Sequence, residues 1–210
     1  MNECQLIELI TILQSIKKLS LMIPFIHSFI HFLNHLILKK GAGAYPSYHQ
    51  VWPNLYIGDE SMARDKATLS SLGVTHIVNA AAGRHRIHTG PQFYNDLEVE
   101  YLAVEAADHP EFNLRPYFSS SANFIENALN NNGKVFVHCA MGVSRSGTLV
   151  LAYLMICQGL SLAEAIIAVR LNRDIGPNSG FLEQLRQLDL SLSSQGRQIT
   201  SENNGDKLQQ

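Results

Sequence analysis

The strongest constraint in this chain is a nine-residue segment held between two apolar runs. Lys134-Val135-Phe136-Val137 reads as a short buried strand, and Thr148 to Cys157 reads as a buried helix. Between them lies His138-Cys139-Ala140-Met141-Gly142-Val143-Ser144-Arg145-Ser146. A strand that ends in a loop and restarts as a helix presents backbone N–H groups with no intrahelical partner, in a dipole field that favours an anion. A cysteine, five residues and an arginine therefore describe a phosphate-binding loop that carries its own nucleophile.

Each position has a chemical reason. Gly142 lets the backbone bend close to a phosphoryl group, and the amides of Cys139, Ala140, Met141, Gly142, Val143, Ser144 and Arg145 supply donors. Arg145 offers a planar fork for two phosphate oxygens. Cys139 stands at the focus of those donors, so its thiol is expected to ionise more readily than an ordinary one and to attack phosphorus. Ser146 and Thr148 stand where a hydroxyl could donate to the departing thiolate. His138 admits two readings, an imidazole that orients the loop backbone or a buried core histidine, and neither makes it a proton shuttle.

A leaving serine, threonine or tyrosine oxygen needs a proton. The segment Ala107-Asp108-His109-Pro110-Glu111-Phe112-Asn113 reads as a loop after the strand-like Tyr101-Leu102-Ala103-Val104. It offers Asp108, with Glu105 and Glu111 as neighbouring competitors that spacing does not exclude.

The segment 138–146 resembles the catalytic loop of the cysteine-dependent protein phosphatases, and its Ser-Arg-Ser ending resembles the dual-specificity branch. The resemblance extends over about residues 48 to 192. It includes Val51-Trp52-Pro53-Asn54-Leu55-Tyr56-Ile57-Gly58-Asp59, Gly73-Val74-Thr75-His76-Ile77-Val78-Asn79-Ala80-Ala81 and Pro177-Asn178-Ser179-Gly180-Phe181-Leu182. Within that branch the chain is most similar to the small atypical members of testis and skeletal-muscle type. The resemblance selects Asp108, 31 residues before Cys139, as general acid and later base. It makes Asn178 a brace for the loop, while the Pro-Asn-Ser-Gly context alone makes it a helix N-cap. It implies hydrolysis of phosphotyrosine and phosphoserine or phosphothreonine in proteins through a phosphocysteine, with mitogen-activated protein kinases among the substrates to consider. The alternative is a phosphoprotein-binding scaffold with little turnover. Two departures stand out: Val143 occupies a place where some relatives carry an aromatic, and Gly147 is expected to loosen the helix start.

The pattern predicts an α/β fold, a central mainly parallel sheet of four to five strands flanked by helices, as in the cysteine phosphatases. Strands are expected near Leu55–Ile57, His76–Asn79, Glu100–Val104 and Lys134–His138. Helices are expected near Met62–Leu72, Tyr117–Leu129, Thr148–Gln158, Leu162–Leu171 and Phe181–Leu192, with Ser161 and Glu164 forming a capping box. The catalytic domain is placed at residues 45–194, after an N-terminal extension and linker (1–44) and before a polar, disordered tail (195–210). A domain of about 150 residues buries roughly 70% of its extended surface, enough to fold alone.

Composition narrows the class further. Net charge is −2, which gives no electrostatic case for nucleic acid. Three cysteines, Cys4, Cys139 and Cys157, point to a reducing compartment. The cytoplasm is expected, with the nucleus also open. No Cys/His metal spacing, Walker loop or dinucleotide fingerprint occurs, so neither metal nor cofactor is expected. The basic cluster Arg84, His85, Arg86 and His88 reads as a solvated loop, or as a contact for acidic flanks of a phosphopeptide. Residues 19–38 hold no Asp, Glu, Lys or Arg and are long enough to span a bilayer. Ser20, His27, Ser28, His31, Asn34 and His35 form a polar stripe there, which favours an in-plane amphipathic or protein-packed helix over a lone span. Membrane association through 19–38 is thus an open expectation.

Overall fold

The computed structural model describes residues 46–83 and 87–205. The apolar run 19–38, the boundary at 44/45 and the cluster residues Arg84, His85 and Arg86 lie outside them. Among the described residues no helix is long and apolar enough to cross a membrane.

Five strands form one sheet: β1 Tyr48–Trp52, β2 Leu55–Gly58, β3 His76–Asn79, β4 Glu100–Ala103 and β5 Val135–His138, in the order β1-β2-β5-β3-β4. β5 is central and runs parallel to β2 and β3, β4 is parallel to β3, and β1 is antiparallel to β2. The period-two alternation of a strand sorts the side chains between two cores. Leu55, Ile57, Val78, Val135 and Val137 face the larger one, with most of the helices. Tyr56, Ile77 and Phe136 face the smaller one, with Met62, Leu69 and Tyr94. Both neighbours of β5 are strands and both its faces are covered, so all four of its residues are buried.

The helices are α1 Glu60–Arg64, α2 Lys66–Leu72, α3 Phe118–Asn130, α4 Arg145–Ile156, α5 Leu162–Arg170 and α6 Ser179–Gly205. Every residue of α4 from Arg145 to Met155 is buried, which explains why its sequence after Thr148 carries no charge on any face. The capping box at the start of α5 forms as expected, with Ser161 and Glu164 bonded reciprocally.

Two expectations need correction. The helix predicted over Met62–Leu72 is two helices, because the Asp65 carboxylate accepts from the Thr68 amide (3.0 Å) and restarts the chain as α2. The helix after the cysteine loop begins at Arg145, not Thr148, so Ser146 and Gly147 lie in its first turn. α6 extends past the predicted end near Leu192.

Candidate active site

β5 delivers Cys139 to the floor of the site, where its side chain is almost wholly buried. The chain then turns through residues 140–144 into α4. What shapes the turn is the fate of its carbonyls. The Ala140 carbonyl accepts from the Glu60 amide (3.0 Å), and that of Val143 accepts from the Gly176 amide (3.2 Å). The Met141 carbonyl accepts from Arg173 Nη2 (3.0 Å), and the Gly142 carbonyl from Arg173 Nε (2.7 Å). Ser144 contributes its carbonyl to the Thr148 amide and hydroxyl at the start of α4. With its acceptors committed to surrounding elements, the loop has N–H groups to spare, and that of Val143 acts on the sulfur together with the Ser146 amide of α4. Gly142 has φ of 65°, and a Cβ there would lie 2.5 Å from the Gly58 carbonyl oxygen and 2.6 Å from Arg173 Nη2. Only glycine fits both the conformation and the approach.

The electrostatics follow. Burial alone would push the Cys139 thiol up. The Ser146 hydroxyl, the Ser146 and Val143 amides and the Arg145 charge outweigh it and hold the thiol below its ordinary value. Ser146 Oγ lies 3.3 Å from Cys139 Sγ. Thr148, the other hydroxyl considered from the sequence, is instead bonded to the Ser144 carbonyl at 2.8 Å.

Arg145 is buried; its Nη1 donates to the Ala106 carbonyl at 3.2 Å. Its Nε stands 3.5 Å from Asp108 Oδ2, an ion-pair contact without hydrogen-bond geometry. Asp108 Oδ1 accepts from Ser144 Oγ (2.7 Å) and from Asn178 Nδ2 (3.0 Å). Of the three acids the sequence leaves in play, Asp108 is the one that contacts the loop among the described residues, while Glu105 lies against Gly83. Asn178 caps α6, and toward the loop its backbone amide donates to Ser144 Oγ (3.3 Å). Its Oδ1 accepts from the Phe181 amide (3.0 Å) in the first turn of α6, and its Nδ2 holds Asp108.

His138 is fully buried beneath the loop, stacked on Phe136 with ring centroids 5.5 Å apart. Neither ring nitrogen has a hydrogen-bond partner among the described residues. Burial pushes its imidazole down to about 4, against weaker opposing pulls from the Cys139 backbone and Asp59. At neutral pH it is an uncharged core residue. Gly147 has a compensating role that propensity alone hides: a Cβ there would lie 3.1 Å from Ile175 Cβ, so the glycine permits close packing of Ile175 on α4. Among the described residues no three His, Cys, Asp or Glu side chains gather as a metal site would require.

The profile of the dual specificity phosphatase catalytic domain matches residues 55–190. The chain belongs to this family. Human dual specificity protein phosphatase 13B is 50% identical over 161 residues, covering 76% of this chain and 81% of that protein. The crystal structure of human DUSP28 superposes with a TM-score of 0.64 at 30% identity, covering 73% of this chain and 99% of that one. Human tyrosine phosphatase-like serine/threonine/tyrosine-interacting protein gives a TM-score of 0.61 at 31% identity, covering 68% and 95% respectively. The chain is therefore an enzyme of the protein tyrosine/serine/threonine phosphatase class, acting on phosphoproteins.

Among the residues that sequence reasoning missed is one that holds the loop from outside. Arg173 is buried and spans from the loop to the start of the fold, where its Nη1 reaches the Pro46 carbonyl (3.4 Å) and His49 Nδ1 (3.1 Å). In the sequence it is one of several charges following α5, and no periodicity sets it apart.

Proposed function

We propose that this phosphatase hydrolyses phosphotyrosine and phosphoserine or phosphothreonine in proteins through a phosphocysteine. The Cys139 thiolate attacks phosphorus while Arg145 and the loop amides hold the equatorial oxygens. As the P–O bond breaks, Asp108 gives its proton to the leaving oxygen. Water then attacks the phosphocysteine, Asp108 takes its proton, and the P–S bond breaks to release phosphate. Ser146 donates a hydrogen bond to the returning thiolate. The observation that carries this reading is the placement of Asp108 against both Arg145 and Ser144, at the mouth of a loop whose floor is an easily ionised thiol.

Mitogen-activated protein kinases remain substrates to try, and the expected compartment is the cytoplasm or nucleus. Release of phosphate from matched phosphotyrosine and phosphothreonine peptides tests the mechanism. Cys139→Ser abolishes release from both while still binding them, and Asp108→Asn slows release by about 10²-fold or more. A folded wild type no faster than Cys139→Ser points instead to a phosphoprotein-binding scaffold.

A further inference from the structure

Asp108 sits on a connection, residues 104–114, that has no strand or helix of its own. Helix α6 and the residue that caps it hold that connection at successive points. Asn178 reaches Asp108 itself. Two residues on, Gly180 lies directly on the backbone of Pro110. A Cβ at Gly180 would overlap the Pro110 carbonyl oxygen and lie 2.5 Å from its carbon and 2.7 Å from its Cα. One turn further, Gln184 Nε2 donates to the Phe112 carbonyl (2.9 Å), while its Oε1 accepts from the Leu114 amide (2.8 Å) and the Arg115 amide (3.2 Å). One amide side chain thus satisfies three backbone groups of an irregular segment, groups that a strand or helix would otherwise pair. Glycine in the first turn of a helix gives up about 1 kcal/mol of propensity relative to alanine. Here the return is contact with a backbone that no other residue permits.

We propose that Gly180 and Gln184 are positioning residues for proton donation: they fix the height of the 108–112 backbone over α6 and, through it, the place of the Asp108 carboxyl above the sulfur. The inference rests on Asp108 being the leaving-group acid. It gains its test from the fact that an acid matters only when the leaving oxygen is basic. A phosphotyrosine peptide and a phosphothreonine peptide need the proton. Dinitrophenyl phosphate, whose phenolate is stable without one, does not.

Gly180→Ala and Gln184→Ala are compared with wild type and Asp108→Asn on all three substrates, with urea unfolding as the check on folding. Gly180→Ala is expected to lose about 10²-fold in kcat on the peptides, the cost of a displacement of about 1 Å at a catalytic group. On dinitrophenyl phosphate it stays within a few-fold of wild type. Gln184→Ala shows the same selectivity at about tenfold, and decides the matter if Gly180→Ala does not fold. Equal losses on all substrates, or none on any, overturn the inference. If Asp108→Asn is selective and the two α6 variants are not, only the positioning role fails. If Asp108→Asn is itself unselective, the acid assignment fails and the positioning role falls with it.

Discussion

Replacing Arg173 by methionine should damage the phosphate site without touching a residue that meets substrate. Methionine is unbranched and adapts to irregular space, so the loss is mainly of hydrogen bonds. Arg173 donates to the carbonyls of Gly142 at 2.7 Å and Met141 at 3.0 Å. A bond from a charged donor contributes about 1.5–3 kcal/mol. The two together make a loss of about 3–6 kcal/mol in unfolding free energy, a large share of the roughly 5–15 kcal/mol typical of a domain. Binding should suffer as well. A peptide plane released by Arg173 can turn, and each carbonyl that swings inward replaces a donor by an acceptor facing the phosphate. A loss of only about 1.4 kcal/mol there is tenfold in affinity. The assay is paired: the urea midpoint at neutral pH, and inhibition by inorganic phosphate of whatever activity remains. Arg173→Lys serves as the second variant, since its single ammonium keeps the charge but cannot match the fork; it should fall between. If Arg173→Met unfolds at the wild-type midpoint and binds phosphate equally well, the clamp is not what turns these carbonyls outward.

Two further outcomes follow from the titrating groups. The rate of Cys139 alkylation by iodoacetamide should rise with pH at a midpoint below that of an ordinary thiol, and Ser146→Ala should move that midpoint upward; an unmoved midpoint would remove Ser146 as a stabiliser of the thiolate. His138, pushed from 6.5 to about 4 by burial, stays neutral in the folded protein while the unfolded chain takes up a proton below 6.5. The unfolded state thus binds more protons in that window, and stability falls as pH drops from about 6.5 to about 4. The contribution is about 3 kcal/mol, read as the difference in pH dependence between wild type and His138→Gln by urea unfolding; parallel profiles would sink it.

Three of the four strands read from the sequence are buried on both sides; the fourth, the edge strand β4, was placed although none of its residues is fully buried. β2, β3 and β5 are short apolar runs, and their positions could be read directly. β1 was not among the strands read: of Tyr48-His49-Gln50-Val51-Trp52, only Val51 is fully inside. The break at Asp65 was hidden because a capping aspartate in an otherwise helical stretch looks like a surface charge. At the candidate site, Cys139 and Arg145 carry a spacing that marks them in the sequence, whereas Asp108 stands out from its neighbouring acids only through the family resemblance. The residues that hold the loop in place carry no such spacing. Arg173, Gly180 and Gln184 act on backbone groups brought to them by the fold, and a backbone partner leaves no mark in the sequence.

The outward carbonyls of the phosphate loop have one more consequence. In the proposed mechanism the loop reads phosphate through its main chain, so the side chains of Ala140, Met141 and Val143 are excused from the chemistry. Ala140 is exposed and Met141 is 73% exposed, while Gly142 is the position the backbone itself requires. Residues 140, 141 and 143 can therefore change while the reaction stays the same. Substrate preference and catalysis become separately heritable traits, and a duplicated copy of such a gene can drift toward a new phosphoprotein without first passing through an inactive enzyme.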